Sequence, residues 1–173
     1  RQGTIVQPPS SWNLFDTDIL RWLLERKFSL TLLRQFSELR VAIEPAAAAL
    51  AAAKADASGR RLIEDGFARM AAAERGDDDV LEADIAFHIA ILEASGNPFY
   101  VQFRDVVETA LRTSIRFTNR FKGHSASLGA HQAVRDAIIK GKAETARKSM
   151  EAIIREVMAL IDEAEASEVG APE

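Results

Sequence analysis

The chain has 173 residues, a formal net charge of −4 and no cysteine, which excludes disulfides, thiolate metal sites and cysteine nucleophiles. A chain of this length can bury one hydrophobic core, and its charge gives no overall attraction to nucleic acid or to an anionic membrane. No apolar run reaches the roughly 18 residues of a membrane span and no signal peptide is visible, so the sequence predicts a cytoplasmic protein. The abundance of Ala, Leu, Ile, Arg and Glu, without alternating β-branched runs, favours an all-α fold.

Residues 1–9 differ from everything that follows. The run Gly3-Thr4-Ile5-Val6 is β-prone and is closed by Pro8-Pro9, which predicts a short strand. Because a lone strand is unstable, we expect its partners upstream, in a part of the protein that this chain lacks. Residues 10–28 are predicted to be a linker with a short helix that Asp16 or Asp18 caps.

Residues 29–166 carry helical patterns separated by short breaks, and they predict an antiparallel bundle of six or seven helices. Pro45 is expected to kink or split the first long helix. Residues 167–173 are predicted to be a disordered tail. After the linker, a long helix is expected to begin at Ser29 or Thr31, and further helices are expected over about residues 57–75, 98–121, 127–140 and 143–164. Between residues 75 and 98, one more helix is expected to carry Asp84 and His88.

The helix that carries Asp84 and His88 has polar side chains where apolar ones are expected. One of Asp77, Asp78 and Asp79 can cap it, and Ser95-Gly96-Asn97 can end it. Asp84 and His88 share a face with apolar residues, so a carboxylate and an imidazole point inward. Burying a charge is costly unless it is paired or bound to a metal ion.

A divalent metal site is one interpretation of these residues. Asp84 and His88 supply two ligands, and His131, among apolar residues of its own helix, is the candidate for a third. Asp and neutral His suit Zn, Ni or Mn. The alternative is that all three are hydrogen-bonded core residues, with Asp84 bound to an arginine and His88 to a backbone carbonyl.

The arginines leave two interpretations open. Arg40 and Glu44 lie one turn apart, either as an ion pair or with Arg40 holding a ligand carboxylate in a bidentate fork. Arg112 and Arg116 are either solvated or line a cavity. The motifs Gly-x-Ser-x-Gly and His-Glu-x-x-His and phosphate-cradling loops are absent, which favours a binding module over an enzyme.

As an ordered set, these residues resemble the FCD effector domain of the FadR subfamily of GntR-type bacterial transcription regulators. The resemblance covers residues 32–160. Residues 3–6 resemble the last strand of the wing in a winged helix-turn-helix, and residues 12–22 resemble the linker of regulators of sugar-acid use. The matching motifs are Leu39-Arg40-x-x-Ile43-Glu44-Pro45, Asp84-x-x-x-His88, Ala94-Ser95-Gly96-Asn97-Pro98 and His131-x-x-Val134-x-x-Ala137-Ile138-x-x-Gly141.

The resemblance implies a homodimer that binds palindromic operator DNA through its winged domains. A small carboxylate effector would enter the helical domain, beside a divalent metal held by Asp84, His88 and His131. Arg40 would face the effector carboxylate together with Asp84 and His88, and Arg112 or Arg116 would assist.

One residue departs from the family pattern. Many members carry a further histidine where this chain has Ile153. Either the metal persists with Asp84, His88, His131 and oxygens of water or effector, or the pocket binds its ligand without a metal.

The sequence thus predicts a DNA-binding regulator, a repressor in the first instance, that is not an enzyme and responds to a sugar acid such as an aldonate. The alternatives are a metal-dependent enzyme on a helical bundle and a structural dimerisation module.

Overall fold

The computed structural model describes residues 5–26, 29–122 and 128–169. All regular secondary structure in these residues is helical, and they contain no strand. The predicted all-α bundle is confirmed. A single 3₁₀ turn covers Pro9–Ser11. The α-helices are α1 (Thr17–Arg26), α2 (Leu30–Lys54), α3 (Ala57–Glu74), α4 (Val80–Ala94), α5 (Pro98–Val101), α6 (Arg104–Lys122), α7 (Leu128–Ile139) and α8 (Ala143–Val169).

Side-chain caps set several helix starts where the sequence places them. Asp16 Oδ1 accepts hydrogen bonds from two backbone N–H groups of the first turn of α1, at 3.0 and 3.2 Å. Ser29 caps α2 at 3.1 Å and Asp79 caps α4 at 2.9 Å in the same way. At the other end of α4, Gly96 adopts φ 66°, a left-handed conformation that favours glycine.

Three predicted boundaries need correction. The helix expected over residues 98–121 is divided into α5 and α6, because the chain tightens at Phe103, whose N–H donates to the carbonyl of Tyr100 at 3.0 Å. Pro45 does not split α2, which is continuous through it. Helix α8 continues to Val169, five residues beyond the predicted end at residue 164, and residues 170–173 lie outside the described part.

The predicted N-terminal strand lies partly outside the described residues, which begin at Ile5. Ile5 and Val6 have no regular secondary structure and are exposed. Among the described helices, none is long and apolar enough to cross a bilayer.

The core lies where α2, α4, α7 and α8 meet. Helix α2 packs along α8, α3 along α4, and α7 against α8. The alanine run of α2 is buried, with Ala47, Ala48 and Ala51 at most 1% exposed, so neighbouring helices approach its backbone closely. The helices that carry Asp84, His88, His131 and Arg40 are therefore held by the hydrophobic core of the bundle.

Helix α1 joins the bundle through α6. Leu20 is buried in a small apolar cluster with Phe36, Val106 and Ala110. The segment before α1 adds two edge-to-face ring pairs, Trp12 with Trp22 and Phe15 with Phe103, with centroids 5.5 and 5.8 Å apart. The predicted linker thus packs against α6, and its Leu20 shares a buried cluster with Phe36 of α2.

Gly66 is a site where one added methyl group is expected to destabilise the fold. A Cβ at this position of α3 would lie 3.0 Å from the Cα of Phe87 in α4, which is backbone and cannot yield easily. We expect Gly66→Ala to cost about 1–3 kcal/mol in the free energy of unfolding, measured by urea denaturation, even though alanine is the better helix former. The exposed Ser58→Ala on the same helix should change it by less than about 0.5 kcal/mol. Equal stability of both variants would show that α3 and α4 can separate at little cost.

Candidate metal and effector site

Three potential metal ligands meet in the core. Asp84 and His88 lie one turn apart on α4, and His131 projects from α7. All three residues are at most 2% exposed. Asp84 Oδ1 lies 3.2 Å from His88 Nε2 and 3.3 Å from His131 Nε2, and the two Nε2 atoms are 3.3 Å apart. The three atoms therefore form a nearly equilateral triangle.

The carboxylate oxygen in this triangle is not satisfied by the protein alone. Asp84 Oδ1 is fully buried and makes no hydrogen bond to the described residues, although the Nε2 atoms of His88 and His131 lie 3.2 and 3.3 Å away. An ionised oxygen buried in this way is costly unless a cation lies beside it.

A second carboxylate orients His88. The Nδ1 atom of His88 is hydrogen-bonded to Glu44 Oε2, while Glu44 Oε1 accepts from Arg40 Nε at 2.5 Å. Arg40 Nη1 in turn donates to Ser114 Oγ at 3.4 Å. Because Glu44 holds Nδ1, the Nε2 atom of His88 is directed at Asp84 and His131, as in histidines that bind metals.

The electrostatics of this cluster favour additional positive charge. Burial opposes ionisation of Glu44, but Arg40 and His88 lower its pKa to about 2. Burial also opposes ionisation of Asp84, yet His131 and His88 hold its pKa well below the usual range. Although burial lowers the pKa of His88, Glu44 and Asp84 raise it to about 9. Glu44, Asp84 and Arg40 together thus carry one net negative charge, which a protonated His88 or a bound cation would balance.

A cavity of about 730 Å³ opens beside the triangle. Its volume is in the range of small-molecule sites. Its lining combines charged and polar side chains with aliphatic ones. The lining residues are Arg40, Met70, Ala73, Glu74, Val80, Asp84, His88, Leu111, Ser114, Ile115, Thr118, Leu128, Gly129, Ile153, Glu156, Val157 and Leu160.

The structure brings together only some of the residues that the sequence singled out. Arg40, Asp84 and His88 line the cavity, as does Ile153. Arg112 instead makes a surface ion-pair network with Glu82 and Glu108. Arg116 is exposed, and neither of these two arginines is among the described residues of the lining.

Sequence reasoning missed the role of Glu44 toward His88. It treated Glu44 only as the ion-pair partner of Arg40, a pair that does form. The contact with His88 joins residues 44 positions apart, which no local pattern reveals. The available signal was a charged i,i+4 pair on the buried side of α2.

The donors present fit a divalent metal ion. Asp84, His88 and His131 are the described residues whose His, Asp and Glu ligand atoms converge in this way. One carboxylate and two imidazoles are a common ligand set for zinc and similar ions. The unsatisfied Oδ1 of Asp84 and the orienting contact from Glu44 are features expected around such an ion.

Comparison with known protein families and sequences gives a consistent result. The FCD domain matches residues 35–156. The chain is 32% identical to the uncharacterized HTH-type transcriptional regulator YieP of Escherichia coli, over 90% of this chain and 67% of YieP. It is 34% identical to the galactonate operon transcriptional repressor of Escherichia coli, over 79% of this chain and 61% of the repressor. The chain thus spans about two thirds of the length of these relatives.

Solved structures show the same fold. A GntR protein of Streptococcus agalactiae superimposes with a TM-score of 0.60 at 21% identity, over 80% of this chain and 62% of that protein. At this identity the likeness concerns the architecture of the helices and not the ligand.

Proposed function

Because this chain belongs to the FCD domain family of GntR-type transcription regulators, we propose that it is the effector-sensing part of a repressor controlled by a sugar acid. The observation that carries this proposal is the cavity beside Asp84 and His88, with Arg40 in its wall. The relatives are named as regulators, which supports a binding function over catalysis.

Arg40 is suited to receive the effector carboxylate. Its Nε donates to Glu44 and its Nη1 to Ser114, and a guanidinium carries five N–H donors in a planar fork. The donors that remain can bind a carboxylate, while Asp84 can accept from a hydroxyl group of the same molecule. One relative is named as the repressor of the galactonate operon, so an aldonate is the effector class that we propose.

A divalent ion of the Zn, Ni or Mn type, held by Asp84, His88 and His131, would supply a Lewis-acidic centre for oxygens of the effector. Glu44 keeps His88 oriented, and Arg40 keeps Glu44 ionised. Leu111 and Ile115 of α6 contribute apolar side chains to the wall of the cavity.

Helix α6 offers a route from the effector to the linker. Its inner side contributes Ser114 and Thr118 to the cavity, and its Val106 and Ala110 pack against Leu20 of α1. A shift of α6 on effector binding would therefore move α1. We propose that α1 transmits this movement to a winged helix-turn-helix domain, of which residues 1–9 form the end and residues 10–28 the linker.

The family resemblance supports a homodimer that binds operator DNA in the cytoplasm. The test uses the full-length protein and a random DNA library. We expect selection to enrich one palindromic sequence, and an aldonate that stabilises the protein to reduce its binding to that sequence. Failure to enrich any sequence, or binding that no sugar acid changes, would refute the proposal.

Tryptophan emission should report effector binding at a distance. Both tryptophans of the chain, Trp12 and Trp22, lie in the linker and α1. We expect the effector to change their emission, because α1 rests on the helix that lines the cavity. In Leu20→Ala the change should shrink while the effector affinity stays the same. An effector that binds with unchanged emission in the native chain would argue against transmission through α6.

A further inference from the structure

Two hydroxyl side chains of α6 lie one turn apart in the wall of the cavity. Ser114 and Thr118 both line the cavity and are 2% and 7% exposed. Ser114 Oγ donates to the carbonyl of Leu111 at 3.2 Å. Thr118 Oγ1 shares its proton between the carbonyls of Ser114 and Ile115, at 3.1 and 3.0 Å. Because the hydroxyl proton of each side chain is held by its own helix, each oxygen is left as a hydrogen-bond acceptor.

The two acceptors differ in what already binds them. Arg40 Nη1 donates to Ser114 Oγ at 3.4 Å, so the guanidinium lies beside Ser114. Among the residues that the structure describes, none donates a hydrogen bond to Thr118 Oγ1. Thr118 is therefore a nearly buried acceptor that a ligand in the cavity can use.

Thr118 lies between the Arg40 contact and the more exposed end of the cavity. Helix α6 runs antiparallel to α4, and two ion pairs fix their register, Arg104 with Glu93 and Arg112 with Glu82. A step from Ser114 to Thr118 therefore leads away from His88 and toward the first turn of α4. Val80 in that turn also lines the cavity and is 40% exposed, whereas His88 is 1% exposed.

We infer that Thr118 selects for a long sugar acid by accepting a hydrogen bond from a hydroxyl group on its fifth or sixth carbon. The inference rests on the proposed function and deepens it, because it takes Arg40 as the residue that holds the carboxylate. The rise along α6 from Ser114 to Thr118 is about 6 Å. An extended aldonate carries its fifth and sixth carbons over a similar distance from its carboxylate. A shorter hydroxy acid held by Arg40 does not reach Thr118.

Burial makes this contact selective. Thr118 is 7% exposed, so a hydroxyl group that reaches it is withdrawn from bulk water and needs an acceptor there. Sites built to hydrogen-bond a hydroxyl group discriminate strongly against analogues that lack it. Glu74 and Glu156 also line the cavity, but both are exposed, so a hydroxyl group beside them keeps its contact with water. Thr118 is therefore the residue at this end that should distinguish acids by length.

Isothermal titration calorimetry of the full-length protein with D-galactonate and L-threonate tests the inference. L-threonate has the configuration of D-galactonate at carbons two and three but ends at carbon four. Thr118→Val keeps the shape of the side chain and removes its acceptor. We expect this variant to raise the dissociation constant of D-galactonate about tenfold and that of L-threonate less than about twofold. Thr118→Ser, which keeps the oxygen, should restore most of the affinity for D-galactonate.

Thr113→Val is the matched control. Thr113 Oγ1 donates to the carbonyl of Thr109 at 3.0 Å on the same helix, but Thr113 is not among the described residues of the lining. This variant should bind both acids like the native protein. Equal weakening of both acids in Thr118→Val, or unchanged binding of D-galactonate, would overturn the inference while the regulator function stands. Binding of neither acid to the native protein would refute both the inference and the aldonate proposal.

Discussion

Replacing Arg40 with methionine is expected to lower the free energy of unfolding by about 3–5 kcal/mol, because it leaves a buried carboxylate without its cation. The side chains of Arg40 and Glu44 are 3% and 1% exposed, so the substitution breaks an ion pair in the buried part of the fold. Urea denaturation of the native chain and the variant, monitored by far-UV circular dichroism, measures the loss.

A double variant shows whether the instability of Arg40→Met comes from the unpaired charge of Glu44 or from the lost packing of the Arg40 side chain. Arg40→Met combined with Glu44→Gln removes both charges while the glutamine can still accept from His88, and we expect it to recover most of the stability. Arg34→Met is the matched control, since Arg34 pairs with Asp162 and Glu165 near the surface. Its cost should stay below about 1 kcal/mol. A double variant no more stable than Arg40→Met would show that the charge of Glu44 is not the cause.

Binding of Zn²⁺ to Asp84, His88 and His131 is expected to raise the free energy of unfolding and the melting temperature of the chain. At a free concentration of about 1,000 times the dissociation constant, an ion that binds only the folded state adds about 4.1 kcal/mol. For a domain of this size, this corresponds to a rise of very roughly 8–16 °C in the melting temperature. Differential scanning fluorimetry with added Zn²⁺, and again after chelation, measures the rise and its reversal.

The variants His131→Gln and Glu74→Gln test whether this stabilisation comes from zinc bound at Asp84, His88 and His131. His131→Gln removes one buried candidate ligand and should abolish most of the rise, whereas Glu74→Gln, which changes an exposed carboxylate of the cavity lining, should leave it unchanged. A rise of equal size in His131→Gln would show that zinc acts at another place and that Asp84, His88 and His131 form a structural cluster.

Much of the fold could be predicted because local signals agree with the tertiary structure. The caps Asp16, Ser29 and Asp79 start their helices as their side-chain chemistry requires. The helical period places Asp84 and His88 on the inward face of α4, and both are buried. Helix starts and inward faces can be predicted from the sequence because the residues that determine them are only a few positions apart.

The remainder depends on contacts between distant segments. The bond from Glu44 to His88 joins α2 and α4, and the ion pair of Arg112 with Glu82 joins α6 and α4. The division between α5 and α6 follows from a local 3₁₀ turn at Phe103 that has no proline or glycine to mark it. Resemblance to a family indicates which residues matter, but the direction of each side chain is set by packing.

The most direct test of the central claim is a thermal-shift panel of the zinc-loaded chain against sugar acids and small dicarboxylates. We expect one stereochemical class of sugar acid to raise the melting temperature, by roughly 5–10 °C at about 100 times its dissociation constant, which corresponds to about 2.7 kcal/mol. The same compound should shift Arg40→Lys much less, since a lysine keeps the charge near Glu44 but loses the planar fork. If no carboxylate shifts the native chain, the cavity beside Asp84 and His88 is not an effector site of this kind and the sensor function is wrong.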